Sequence, residues 1–81
     1  TMNIGKRSRY RVRLIHRNVP GVMARVNQIF ASSEANVDAQ ILATVDEVGY
    51  VLTDISAGLG RKALEELSHL PETVRLIATP L

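Results

Sequence analysis

The feature that most constrains the fold is a repeated switch between two hydrophobic periods along the chain. Within residues 8–17, arginines alternate strictly with apolar side chains from Arg9 to Leu14, and this period of two predicts a β-strand with one buried face. Its apolar set is Tyr10, Val12 and Leu14, and its cationic set is Arg9, Arg11 and Arg13. Beyond Pro20, which suits the first turn of a helix, apolar residues recur at helical spacing. They predict a helix running to about Glu34, with Val22, Val26, Ile29 and Phe30 on one stripe and Met23 beside it.

The same two periods recur in the second half of the chain. We expect Asn36 to end the first helix in a left-handed cap, because Asn tolerates that conformation. A strand over 37–45 follows, with one face formed by Val37, Ala39, Ile41, Ala43 and Val45. The segment "DEVG" at 46–49 predicts a turn, and "YVLTDIS" at 50–56 predicts the returning strand of a hairpin. "AGLG" at 57–60 interrupts the chain before a second amphipathic helix that ends before Pro71, and 73–79 predicts a last strand. That helix is marked by Ala63, Leu64, Leu67 and Leu70.

The resulting order, β-α-β-β-α-β, predicts an α+β fold of the ferredoxin-like type. Right-handed crossovers would place both helices on one face of a four-stranded antiparallel sheet. Residues 1–7 show no period and are interpreted as a linker or a remnant, which leaves one domain over 8–81. The predicted core consists of Val12, Leu14, Val22, Val26, Ile29, Phe30, Leu64 and Leu67.

The residue content argues against catalysis and against a metal or cofactor site in these 81 residues. There is no cysteine and no cluster of histidines or carboxylates with metal-ligand spacing. Ser68 and His69 are neighbours on a helix and therefore do not face each other as a nucleophile and its base. "GLG" at 58–60 lacks the rest of a dinucleotide-binding loop. Without a signal peptide or a long apolar run, the expected location is cytoplasmic, with no membrane partner.

The amino-terminal region is strongly basic, since seven of the ten cations precede the first acid, Glu34. Such a row could meet an anionic partner or could form the solvated face of a strand. RNA-recognition domains of this topology stack bases on exposed sheet aromatics. The aromatics here are Tyr10, Phe30 and Tyr50, and the first two belong to apolar stripes. We therefore predict no nucleic-acid partner.

The turn between the first strand and the first helix carries the best candidates for a binding site. His16 and Asn18 precede Pro20 and Gly21, and the helix that follows begins with Val22. A helix N-terminus attracts anions, and an amide with an imidazole could hold the rest of a small zwitterion. The same residues are also compatible with a purely structural turn, in which Asn18 is a cap and His16 a satisfied strand-end histidine. The residues alone leave both interpretations open.

The stretch "HRNVPGVMARVNQIF…NVDAQILATVDEVGYVLTDI" resembles the C-terminal ACT domains of D-3-phosphoglycerate dehydrogenases. The resemblance covers roughly residues 10–79, and it depends on the H-x-N-x-P-G-V turn, the N-V-x-A-Q start of the second strand and the G-Y-V of the third. It implies a regulatory domain that binds an amino acid, usually L-serine acting as feedback inhibitor of an enzyme that uses NAD.

The resemblance also implies where such a ligand would lie. The family's serine contacts fall on His16, Asn18 and Asn36, with Asn36 supplied by a second copy of the chain. We expect the carboxylate near the N–H groups of Gly21 and Val22. It further implies a homodimer formed through a sheet edge and the first helix, in contact with the parent's catalytic domains. The alternative is an ACT-like module that only assembles subunits and binds no ligand.

Overall fold

Four strands and two helices follow one another in the predicted order. The computed structural model describes residues 9–33, 35–56 and 60–81, so the predicted linker over 1–7 and most of the "AGLG" break lie outside the described residues. The elements are β1 (Arg9–Arg17), α1 (Val22–Ser32), β2 (Asn36–Val45), β3 (Val48–Ser56), α2 (Arg61–Ser68) and β4 (Thr73–Pro80). The strands form one antiparallel sheet in the order β2-β3-β1-β4, which confirms the predicted fold class.

Both helices lie against the same face of the sheet. Val12 and Leu14 of β1 share one buried cluster with side chains from α1, α2 and β3, and residues two apart on a strand point to the same face. We call the face of the sheet that packs against the helices the helix face, and we call the opposite face the open face. The helix-face cluster consists of Val12, Leu14, Val22, Val26, Phe30, Val51, Ile55 and Leu67.

Six of the eight predicted core residues are buried, whereas Ile29 and Leu64 are only half-buried. In α2 the buried pair is Ala63 and Leu67, four residues apart on one stripe, and Leu64 lies beside that stripe. The prediction omitted Val51 and Ile55, because it took no core residue from β3. As a strand inside the sheet, β3 supplies much of the surface onto which the helices pack.

The predicted ends of α1 were displaced by a few residues. The helix begins at Val22 rather than Pro20, because Gly21 adopts φ 85° and a left-handed residue cannot continue a right-handed helix. The prediction that Asn36 forms a left-handed cap was wrong. The C-cap is Ser33 in a right-handed conformation, with its N–H 3.1 Å from the Ile29 carbonyl oxygen, and Asn36 is already the first residue of β2.

The hairpin between β2 and β3 is tighter than the predicted four-residue turn. Only Asp46 and Glu47 connect the strands, and Val45 pairs directly with Val48. Asp46 has φ 55°, a left-handed conformation that Asp tolerates better than most residues and that two-residue hairpins require. β3 therefore begins two residues before the predicted Tyr50.

A β-bulge in β2 changes the predicted face of that strand. Val37 pairs with Ile55 and Ala39 pairs with Asp54, so Asp38 is an extra residue without a partner on β3. Val37 consequently lies on the helix face with Ile55, whereas the residues from Ala39 onward that were predicted to share its face lie on the open face. Every residue of β2 is exposed, as expected for a strand at the edge of a sheet.

The arginine row of β1 lies on the open face. Arg11 donates two hydrogen bonds to Asp54 of β3, from Nε to Oδ1 at 2.8 Å and from Nη2 to Oδ2 at 3.0 Å. The hydrogen bond from Arg11 holds the pKa of Asp54 below its usual range, against a smaller opposing effect of desolvation. Arg9 and Arg13 add to the lowering through their charge. This open face therefore combines one neutralised arginine with further cations of the same strand.

Candidate functional site

His16 lies on the helix face at the carboxyl end of β1 and is more deeply buried than the sequence predicted. Its position continues the row of Val12 and Leu14, as expected, but the residue is only 1% exposed. The ring Nδ1 lies 2.9 Å from the Arg17 carbonyl oxygen. The other ring nitrogen, Nε2, is buried and has no hydrogen-bond partner among the residues that the structure describes.

The contact at Nδ1 determines what Nε2 can do. A carbonyl oxygen only accepts, so Nδ1 carries the proton in this contact. In the neutral imidazole, Nε2 is then left with a lone pair that can accept a hydrogen bond. A buried polar atom without a partner costs about 1–3 kcal/mol, and such atoms are uncommon in native proteins. The ring of His16 can therefore accept a hydrogen bond from a donor that the described residues do not supply.

Gly49 of β3 makes the position of the His16 ring possible. The two residues are paired across the sheet, and a Cβ on Gly49 would lie 2.3 Å from Cε1 and 2.6 Å from Nε2 of the ring. Sequence reasoning assigned this glycine to the turn and missed its role. The G-Y-V segment was a signal of family resemblance, but only the strand pairing shows that Gly49 accommodates His16.

Asn18 ties the β1–α1 turn to the β2–β3 hairpin. Its backbone N–H donates to the Glu47 carbonyl oxygen at 2.8 Å, and its side-chain Nδ2 donates to the Asp46 carbonyl oxygen at 3.3 Å. Asn18 is exposed, and its hydrogen bonds to residues 46 and 47 place the turn at the end of the sheet where β2 also ends. The buried His16 and the exposed Asn18 thus lie at the same end of the sheet.

The N-terminus of α1 adds a positively polarised end to this region. The first helical hydrogen bond runs from the Arg25 N–H to the Gly21 carbonyl oxygen at 3.3 Å, so the preceding N–H groups have no acceptor within the helix. The Val22 N–H is directed at the Val19 carbonyl oxygen at 3.4 Å, which makes it a less available donor than expected. Arg25 also forms an ion pair with Glu72, and its hydrogen bond lowers the pKa of that carboxyl group.

Asn36 lies at the other end of the sheet from this turn. It is paired with Ser56, which is also paired with Arg9 at the start of β1. His16 is seven residues further along β1, and a strand rises about 3.3 Å per residue, so the two ends are roughly 23 Å apart. One copy of the chain therefore does not bring His16 and Asn36 together.

Asn36 is held in a triangle with Asp38 and Ser56. Asn36 Nδ2 donates to Asp38 Oδ1 at 2.7 Å and lies 3.3 Å from Ser56 Oγ. Ser56 Oγ in turn lies 3.2 Å from Asp38 Oδ1. Ser56 is buried, with 3% of its surface exposed, and anchors the group to β3. Sequence reasoning did not assign Asp38 to the candidate site.

Two other kinds of feature are absent from the described parts of the chain. No group of three or more His, Cys, Asp or Glu residues within 9–33, 35–56 and 60–81 could hold a metal ion. Neither described helix has the length and apolar character needed to span a membrane.

Relatives of known identity match most of this chain. D-3-phosphoglycerate dehydrogenase of Escherichia coli is 43% identical over 63 residues, which are 75% of this chain and 15% of the relative. D-3-phosphoglycerate dehydrogenase of Dictyostelium discoideum is 35% identical over 68 residues, 84% of this chain and 16% of the relative. The chain thus spans about one sixth of the length of these relatives.

Solved structures with little sequence identity share the fold. The ACT domain of a GTP pyrophosphokinase from Chlorobium tepidum superposes with a TM-score of 0.76 at 10% identity, covering 91% of this chain and all of that one. A homoserine dehydrogenase from Thiobacillus denitrificans superposes with a TM-score of 0.70 at 22% identity, covering 93% of this chain and 17% of the enzyme.

A family model described as the AHAS small subunit-like ACT domain matches residues 12–75, from the middle of β1 into β4. This match covers more than half of the chain and includes the β1–α1 turn, the start of β2 and Gly49. The resemblance inferred from the sequence is therefore confirmed at the level of the domain. The chain belongs to the ACT-domain family, and the ACT region of D-3-phosphoglycerate dehydrogenases is its homologue.

Proposed function

We propose that this domain binds L-serine between two copies of the chain and thereby regulates a parent D-3-phosphoglycerate dehydrogenase. In this proposal His16 and Asn18 of one copy and Asn36 of the partner subunit contact the ligand. The observation that carries it is the buried, unpartnered Nε2 of His16. A serine hydroxyl or ammonium group would supply the donor that this nitrogen lacks, which recovers the cost of burying it alone.

The topology supports a site shared between two copies. Strands β1 and β2 are both antiparallel to β3 and so run in the same direction, which keeps Asn36 far from His16 within one chain. Antiparallel pairing of two β2 edges would reverse the partner's strand. Asn36 of the partner subunit would then lie at the end of the sheet that carries the β1–α1 turn. The exposed edge of β2 offers unpaired backbone groups for this contact.

The burial of His16 suggests how the ligand would act. Because Nε2 is buried in the single chain, serine would reach it only when neighbouring groups move, and in this proposal the turn at 18–21 is the segment that moves. The hydrogen bonds of Asn18 to the β2–β3 hairpin would change with that movement. A ligand held by both copies would alter how rigidly the two copies are joined, and such a change can pass to attached domains.

The parent enzyme enters the proposal through the relatives. The relatives in E. coli and Dictyostelium are D-3-phosphoglycerate dehydrogenases, and this chain matches about one sixth of their length. Catalytic residues and the NAD site of a cytoplasmic parent would lie in segments outside this chain. The alternative, an ACT module that only assembles subunits, is favoured by the fully exposed β2 edge, which needs no ligand in order to pair.

Titration with L-serine tests the proposed function directly. Calorimetry of the wild-type chain should give a saturable binding heat, and Asn36→Ala should weaken binding about tenfold or more. A hydrogen bond to a charged group contributes about 1.5–3 kcal/mol, and about 1.4 kcal/mol corresponds to a factor of ten. His69→Ala is the control, because His69 is the exposed C-cap residue of α2 and should leave binding unchanged. No binding heat with wild type, or equal effects of both variants, would favour the assembly-only alternative.

A second prediction concerns the dimer edge. Ile41 lies near the middle of β2 and is 62% exposed, and an antiparallel pair centred there would bring Ile41 close to its own counterpart. Ile41→Lys should therefore place like charges opposite each other and weaken the dimer about tenfold, or by about 1.4 kcal/mol. The measurement is the dimer dissociation constant by sedimentation equilibrium.

The other edge strand provides a matched control for this variant. Val74 of β4 is also 62% exposed, so Val74→Lys adds the same charge to an equally exposed strand residue. Its dissociation constant should equal that of wild type. A larger effect of Val74→Lys than of Ile41→Lys would move the proposed interface to β4, and a wild-type chain that stays monomeric at millimolar concentration would argue against the shared site.

A further inference from the structure

We propose that Asp38 is a specificity-determining residue that receives the ammonium group of the ligand and excludes molecules lacking it. This inference depends on the proposed function, because it assigns a role to the Asn36 side of the shared site. It differs from the family resemblance, which placed ligand contacts at His16, Asn18 and Asn36 but none at residue 38.

The chemistry of the triangle fixes the orientation of the Asn36 amide. A carboxylate only accepts hydrogen bonds, so the group of Asn36 that lies 2.7 Å from Asp38 Oδ1 must be its NH₂. The hydroxyl of Ser56 donates to the same Asp38 oxygen and accepts from the second amide hydrogen. Each donor in the triangle thus has an acceptor, and the arrangement is chemically self-consistent.

This orientation determines what the group offers to a ligand. Both amide hydrogens of Asn36 are directed within the triangle, so its outward group is the carbonyl oxygen Oδ1. Asp38 adds its second carboxylate oxygen, Oδ2, and a negative charge. Both outward groups accept hydrogen bonds. The site therefore favours a ligand with a cationic donor, and charge-assisted hydrogen bonds of that kind are about twice as strong as neutral ones.

Asp38 is accessible for this role because β2 is an edge strand whose residues are all exposed in the single chain. As the extra residue of β2, Asp38 has no partner on β3, and it is exposed in the single chain. Ser56, which is buried, donates to one carboxylate oxygen of Asp38, and within 9–33, 35–56 and 60–81 no side chain donates a hydrogen bond to the other oxygen. Residues two apart on a strand share a face, so Asp38 lies on the same side of β2 as Asn36, which is consistent with the hydrogen bond between their side chains.

The two halves of the shared site would then have opposite polarity. The half at the β1–α1 turn has the positively polarised N-terminus of α1, which suits a carboxylate, whereas the nearby Arg25 is already paired with Glu72. The half at Asn36 has the charge of Asp38. An amino acid bound between the two copies would place its carboxylate against the N-terminus of α1 in one copy. Its ammonium group would lie against Asp38 of the partner subunit. The serine hydroxyl would remain for Nε2 of His16.

Replacing the ligand's ammonium group tests this inference. Calorimetry would compare L-serine with L-glycerate, which has the same skeleton with a hydroxyl in place of the ammonium, on wild type and on Asp38→Ala and Asp38→Asn. Both variants should bind L-serine about tenfold or more weakly, whereas L-glycerate affinity should stay the same or increase. The ratio of the two affinities should therefore fall at least tenfold. Glu65→Ala removes an exposed acid on α2 and should not change the ratio.

The possible failures are distinguishable. If wild type binds L-serine and the ratio does not change in the Asp38 variants, only this inference is overturned. The same holds if Asp38→Ala strengthens L-serine binding, because Asp38 would then restrain Asn36 instead of receiving the ligand. If wild type binds no L-serine, the proposed function fails, and the inference fails with it. Thermal melts and sedimentation of each variant would establish that the dimer is retained.

Discussion

An equimolar mixture of His16→Ala and Asn36→Ala chains is expected to bind L-serine much more tightly than either variant alone. Each variant dimer carries the same defect in both of its sites. A mixed dimer, in contrast, has one site with an intact His16 from one chain and an intact Asn36 from the other. Its second site carries both substitutions. With random exchange, about a quarter of the wild-type number of sites should be restored at wild-type affinity, as follows for a two-fold symmetric dimer.

The mixture is prepared by unfolding and refolding the two variants together, and the site number is measured by calorimetry. The control replaces Asn36→Ala with the double variant carrying both substitutions, because no dimer in that mixture contains an intact site. Because every chain in the control lacks His16, tight binding there would point to a binding site that does not use His16. If mass spectrometry shows mixed dimers but tight binding does not return, the ligand does not span two copies in the proposed way.

Gly49→Ala is expected to destabilise the domain strongly and to abolish L-serine binding. The added Cβ would lie 2.3 Å from Cε1 of His16, a distance that requires the ring or the strand to move. His16 is only 1% exposed, so its ring has no room to swing into solvent. Overpacking a well-packed interior costs about 1–3 kcal/mol. Urea unfolding measures this loss, and calorimetry measures the loss of binding as His16 is displaced.

A double-mutant cycle attributes the effect to the contact between these two residues. In a His16→Ala background the ring is absent, so Gly49→Ala should cost little, with a coupling energy of about 1–3 kcal/mol. Gly60→Ala is the matched control, because a Cβ there would meet no atom within 4 Å and Gly60 has φ −74°. Gly60 is the N-cap of α2, where alanine is less favourable than glycine, so Gly60→Ala should cost at most about 1 kcal/mol, and this cost should not depend on His16. Equal costs of Gly49→Ala with and without His16 would mean that another contact of the strand is responsible.

The sequence by itself determined the order of the elements, the fold class and most of the core. Alternation over β1 and the apolar stripe of α1 are local properties, since each depends on residues a few positions apart. The same is true of the H-x-N-x-P-G turn, which assigned His16 and Asn18 to one region. The predictions failed at element ends, where the left-handed conformations of Gly21 and Asp46 decide between helix, turn and strand.

The tertiary structure decided everything that depends on pairing between distant parts of the chain. The bulge at Asp38 depends on the register of β2 against β3. It places the residues from Ala39 onward that were predicted to share the face of Val37 on the opposite face. The space for the His16 ring exists because β1 aligns it with Gly49. The distance between His16 and Asn36 follows from both strands being antiparallel to β3. Periodicity contains no information on register, because a strand with alternating apolar residues can pair with its neighbour at several offsets of two residues. Contacts with the rest of the fold decide which offset forms.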